Sequence, residues 1–176
     1  MFLLNSLKNI TVTISDSINK VAKITAVIFL AVLVSIVLLQ IVFRYILNLG
    51  LPWVDELSRF LNIWIGFLGA SIGFKYGEHV GVAFFVEKLP EKKLRIFNFV
   101  TKLISLALFI FVIYYSFGFI VDSRSLTPAM NLSYKWPKSS LFIGFSIIGI
   151  HLVSFILTDI VDFMNGNFSI AKSNNS

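Results

Sequence analysis

The sequence predicts an all-α integral membrane protein: four transmembrane helices, with a fifth, amphipathic helix lying along one membrane surface. Three observations carry this. The 176-residue chain is 57% hydrophobic and only 14% charged, where ordinary soluble domains carry about 25% charged residues. Its apolar residues collect into four runs free of Asp, Glu, Lys and Arg, at 24–43, 60–74, 103–121 and 139–158. The breaks between the first three runs hold the glycine and proline that end and restart helices.

Residues 1–20 mix Leu3, Leu4, Leu7 and Ile10 with Lys8 and Asn9. They read equally as a short interfacial helix or a frayed terminus, and Ser15-Asp16 reads as the helix N-cap that follows. The run 24–43 is long enough to cross a hydrocarbon core at about 1.5 Å per residue. It is not a cleavable signal, because Arg44-Tyr45 follows it in place of a small-residue cleavage site. Gly50 is the expected left-handed cap, and Pro52 suits the first turn of the next helix. The second run, 60–74, reaches only about 22 Å, so its helix extends past the run, with Trp53 and Tyr76 as interfacial anchors and Lys75 snorkelling outward. Residues 80–89 are apolar but too short to span, and read as an interfacial helix. Pro90 and Glu91 restart a helix that enters the third run. The loop 122–138 holds Tyr134 and Trp136, again interfacial types. The expected organisation is one membrane domain over residues 1–165, with spans at about 20–47, 53–76, 93–121 and 137–160, and a polar tail at 166–176.

Four spans put both termini on one side. That side collects Lys8, Lys20, Lys23, Lys75, Lys88, Lys92, Lys93, Arg95, Lys102 and Lys172, ten basic residues against five opposite. The positive-inside rule then places both termini in the cytoplasm. The formal charge of +6 is explained by this flanking of apolar runs, so membrane lipids are expected partners and nucleic acid is not. Cysteine is absent, which excludes disulfides and thiolate metal sites.

The candidate functional residues fall into four groups. Asn62, Gly66, Gly69, Ala70 and Gly73 share neighbouring faces of the second helix, and their small-xxx-small spacing lets helices approach closely, within this chain or against another. Arg44, Asp55, Glu56, Arg59, Arg124, Lys135 and Lys138 face outward in this topology, either as helix-end charge compensation and interfacial anchoring or as a docking surface. Trp53, Tyr76, His79, Tyr134 and Trp136 are interfacial anchors. His79 and His151 are the only histidines. A haem held between them, making the chain a membrane redox subunit, is the alternative reading; the competing one makes His151 an interhelical hydrogen-bonding residue. No ionisable Asp, Glu, Lys or Arg lies inside a charge-free run, which argues against a transport path or a drug exporter built from this chain alone. No catalytic, cofactor or metal residue is assigned, and no enzymatic activity is expected.

A resemblance sharpens this. Phe43-Arg44-Tyr45, Leu51-Pro52-Trp53-x-Asp55-Glu56-Leu57-Ser58-Arg59, Gly66-Phe67-Leu68-Gly69-Ala70, Gly77-Glu78-His79-Val80-Gly81-Val82, Leu89-Pro90-Glu91-Lys92 and Thr127-Pro128-Ala129-Met130 follow one another in order between the apolar runs. Together they resemble the DctQ-like small membrane subunit of tripartite ATP-independent periplasmic (TRAP) transporters, over roughly residues 20–160. Asp55-Glu56 stands where many relatives have two glutamates, which leaves the charge unchanged. The resemblance implies a bacterial inner-membrane subunit paired with a large multispan subunit that carries the substrate and sodium sites. It further implies an extracytoplasmic binding protein that delivers an acidic substrate such as a C4-dicarboxylate, a keto acid or sialic acid. The large subunit would move as an elevator, the small one would brace its scaffold, and sodium is expected on the large subunit rather than here.

Overall fold

The computed structural model describes residues 2–77 and 91–164. They form four helices: α1 (Phe2–Tyr45), α2 (Pro52–Gly77), α3 (Glu91–Val121) and α4 (Lys135–Met164). All four contain a stretch long and apolar enough to cross a membrane. The expected interfacial helix at 80–89, His79 and the polar tail at 166–176 lie outside the described residues.

The first helix departs from expectation. It runs unbroken for 44 residues, about 66 Å at 1.5 Å per residue, with no separate terminal helix and no cap at Ser15-Asp16. The physical reason is in the sequence: residues 1–49 contain neither glycine nor proline, so nothing stops a helix that tertiary contacts reward. Those contacts come from one face, where Ser15, Asn19 and Ala22 are buried. The left-handed residue that ends α1 is Asn48 (φ 54°) rather than Gly50. The Leu49 N–H reaches back six residues to the Phe43 carbonyl at 3.0 Å, closing the helix end around Asn48, which takes the left-handed position that glycine usually fills. Pro52 then opens α2 as expected.

The central helix is α4, which packs against the other three, while α1 also packs along α2. Its small residues make this possible. A Cβ on Gly144 would sit 2.8 Å from Phe67 Cβ and 3.3 Å from the Phe67 carbonyl oxygen, so α2 and α4 touch backbone to backbone there. Ala22, Leu68 and Ile147 form the shared core of α1, α2 and α4. Toward the end carrying the interhelix loops, Phe29 packs on Trp64 and Trp64 on Trp136, at ring separations of 5.9 and 5.8 Å. On the other side of α4, Phe67, Phe145, Phe109 and Phe74 stack in sequence and bring α3 against the bundle.

The opposite end, shared by the chain's N-terminus and the end of α4, is held by charge. Lys8 on α1 pairs with Asp162 on α4 at 2.6 Å, Lys102 on α3 pairs with Asp159 on α4 at 2.9 Å, and Lys75 on α2 pairs with Asp16 on α1. Each pair joins two helices.

Candidate functional site

At the loop end, two segments far apart in sequence become one unit. Pro52 starts α2, which places Glu56 at the top of the helix beside the loop between α3 and α4. Its carboxylate oxygens accept the Ala129 N–H at 2.9 Å and the Met130 N–H at 3.0 Å. The loop is shaped to present those amides. Thr127 is buried; its N–H reaches the Leu132 carbonyl at 2.8 Å, and its Oγ1 accepts the Leu132 N–H at 3.1 Å. Asn131 takes a left-handed conformation (φ 53°) to close the turn, and Leu126 and Ser133 bridge across it. Ser133 Oγ then caps α4 by accepting the Lys135 N–H at 3.2 Å. Beside this clasp, Asp55 Oδ1 accepts from Gln40 Nε2 at 2.7 Å, fastening α2 to α1.

The candidate outward charges therefore divide. Asp55 and Glu56 are engaged inside the chain. Arg44, Arg59, Arg124 and Lys135 are exposed, and among the described residues no ion pair closes between Glu56 and Arg59. Lys138 Nζ sits 3.7 Å above the Phe119 ring, a cation–π contact that ties α4 to the end of α3. Trp53 is half-buried. Tyr134 and Trp136 both pack on Phe60, at 6.0 and 6.1 Å.

The small-residue face of α2 points away from the rest of the chain. Asn62, Gly66, Gly69, Ala70 and Gly73 are all exposed, and a Cβ added at Gly66, Gly69 or Gly73 would meet nothing within 4 Å. The chain's own close approach uses Gly144 on α4 instead.

At the other end, Lys75 turns inward where snorkelling was expected; its side chain is only 12% exposed. Its ammonium donates to Ser15 Oγ at 2.8 Å and pairs with Asp16. Lysine is a donor only, so Ser15 accepts from it and turns its own hydrogen toward His151 Nδ1, 2.7 Å away. The ring proton of His151 then resides on Nε2, buried without a partner among the described residues. Asn19 Nδ2 and Lys23 Nζ both donate to the Tyr76 hydroxyl at 2.8 Å. His151 is completely buried and bonded across helices, as the competing reading supposed. The haem alternative also needs His79, which lies outside the described residues.

Sequence reasoning placed Glu56 at a helix start and His151 between helices, but it missed Ser15, Asn19 and Gln40 as their surroundings' partners, and it missed Gly144.

Residues 33–162 match the family of tripartite ATP-independent periplasmic transporters, DctQ component. This chain belongs to that family. It is 30% identical over 150 residues to a Haemophilus influenzae protein assigned as a TRAP transporter small permease, covering 85% of this chain and 91% of the relative. It is 37% identical over 75 residues to the sialic acid TRAP transporter small permease protein SiaQ of Vibrio cholerae, covering 43% of each chain. A third relative is the sialic acid TRAP transporter permease protein SiaT of Haemophilus influenzae, 28% identical over 141 residues. There the match takes in 79% of this chain but only 22% of the relative, so the small-permease module forms about a fifth of a longer permease. In this DctQ-family chain the site is a structural clasp. It grips a loop, locks three helices together and leaves one close-packing face open.

Proposed function

We propose that this chain is the scaffold-bracing small subunit of a sodium-driven, binding-protein-dependent importer of an acidic organic substrate, with sialic acid the first candidate. It sits in the bacterial inner membrane with both termini cytoplasmic. One observation carries the reading: the Gly66, Gly69 and Gly73 face of α2 is built for close helix approach and is not used by the chain's own packing. A second membrane polypeptide is the natural occupant, and in the permease protein SiaT the matching stretch is about a fifth of a longer chain. The absence of Asp, Glu, Lys and Arg from the four apolar runs supports the reading that the substrate and sodium sites lie on that larger subunit. Sialic acid appears in the names of two relatives and is an acidic sugar. The twofold excess of basic residues on the terminal side supports the orientation. The exposed Arg59 on α2, Arg124 in the loop fixed by Glu56 and Lys135 at the start of α4 form part of the landing surface for the binding protein.

The test is co-expression of the tagged chain with a large multispan TRAP permease from the same genome. The reading expects a stable complex in mild detergent, and uptake that requires both chains and the binding protein. A permease that purifies and transports normally without this chain would overturn it.

A further inference from the structure

Where α1 ends and α2 begins, Gln40, Arg44, Gly50, Leu51, Pro52 and Asp55 line an open cleft of about 300 Å³. That is the small end of ligand-site volumes, and large enough for a phosphoethanolamine-sized headgroup. Its chemistry is paired but not closed. Arg44 has no hydrogen-bond or ion-pair partner among the described residues. Asp55 spends Oδ1 on Gln40, and among the described residues no bond engages Oδ2. The two charges line one cleft without meeting. The lining is neutral as a whole, with a free guanidinium and a free carboxylate oxygen.

The cleft also lies at a defined level. Arg44 is the first charge after the run 24–43. Around it Tyr45, Ile46, Leu47 and Leu49 are 75%, 71%, 51% and 55% exposed. Four exposed apolar side chains beside an unpaired cation describe the seam between acyl chains and headgroups, where apolar and charged groups are satisfied together.

We infer that this cleft binds the headgroup of a zwitterionic phospholipid with a primary amine, phosphatidylethanolamine being the type. The phosphate oxygens take the forked N–H donors of Arg44, which match that geometry. The ammonium donates to the free oxygen of Asp55. Phosphatidylcholine lacks the ammonium N–H donors, and phosphatidylglycerol brings a net negative charge and only neutral hydroxyls, with no cation to balance Asp55. Gly50 lines the site: a Cβ there meets nothing within 4 Å, and its backbone is not in the left-handed region, so a larger residue is accepted by the chain and takes up space at the cleft. The inference rests on the membrane placement of the chain and not on its transport role.

The experiment uses the full chain, with any partner that co-purifies, extracted by polymer into native nanodiscs from a membrane containing all three lipids. The probe is retained lipid after delipidation in mild detergent, measured by mass spectrometry, for the wild type, Gly50→Leu, Arg44→Ala and Arg44→Lys. The expected result is phosphatidylethanolamine enriched at least fivefold over the other two, lost in Gly50→Leu and Arg44→Ala, and partly kept in Arg44→Lys. Soluble glycerophosphoethanolamine at millimolar concentration should displace it only weakly, because the acyl chains contribute. Enrichment of phosphatidylglycerol or phosphatidylcholine instead, equal retention in wild type and Gly50→Leu, or full displacement by inorganic phosphate would each overturn the assignment. None of these readouts requires transport, so a failed transport reading would leave the lipid result intact.

Discussion

Replacing Gly144 by alanine should loosen the bundle, although alanine is the better helix former. The added Cβ would lie 2.8 Å from Phe67 Cβ, against about 3.6 Å for an ordinary carbon contact. Phe67 Cβ is the root of its side chain and cannot swing aside, and the Phe67 carbonyl stands 3.3 Å away. Helices α2 and α4 must therefore part by roughly 0.8 Å, and a gap of that size forfeits about a quarter to a half of the dispersion energy of the facing atoms. Overpacking of this kind costs about 1–3 kcal/mol. The helix propensity gained over glycine returns about 1 kcal/mol, so the net loss is of the order of 1 kcal/mol, and larger for Gly144→Leu. The Trp64–Trp136 contact at 5.8 Å reports on the same two helices, so thermal unfolding of the purified chain followed by tryptophan fluorescence measures the effect. Gly69→Leu, on the open face, is the internal comparison and should leave that transition in place. A Gly144→Ala chain as stable as the wild type, together with a destabilised Gly69→Leu chain, would refute the assignment of faces.

Three further outcomes follow from the same geometry. Glu56→Ala removes the acceptor for two loop amides, so hydrogen exchange at Ala129 and Met130 should accelerate at least tenfold, with a smaller change in Glu56→Gln; unchanged protection would mean the loop holds itself. Reversing Lys135 and Lys138 to glutamate should slow uptake at limiting binding protein and recover partly as binding protein is added, while loss of assembly would identify these lysines as anchors, as the Lys138–Phe119 contact already suggests for one of them. Cysteines at Val82 and Phe85 should resist aqueous thiol reagents if 80–89 is an interfacial helix, and free labelling of both from the extracytoplasmic side would reject that topology.

The four helices were legible because lipid demands charge-free runs and proline and glycine mark where they stop. The first turn of α2 was set by Pro52, whereas α4 starts at Lys135, inside the stretch read as the loop 122–138. Other features depend on contacts that local pattern does not encode. Whether residues 2–19 fray or continue as helix is decided by the partners of Ser15 and Lys8 on α4, more than 130 residues away in sequence. Asn48 and Gly50 both tolerate a left-handed backbone, and composition alone favoured the wrong one. Lysine near a helix end ordinarily snorkels, but Lys75 has Ser15 and Asp16 within reach on the neighbouring helix. The Glu56 clasp spans 73 residues, and no local pattern pairs that carboxylate with the amides of Ala129 and Met130. Both α2 and α4 carry small residues, and nothing in their spacing says that Gly144 faces inward while Gly69 faces out.

The most direct test of the account is sodium-driven uptake in liposomes of defined composition. One set contains this chain alone, a second the large permease alone, and a third both, each with binding protein and radiolabelled sialic acid outside and an inward sodium gradient. The account predicts uptake only in the third set, with the first indistinguishable from empty vesicles. Uptake by this chain alone, or full uptake by the large permease without it, would contradict it.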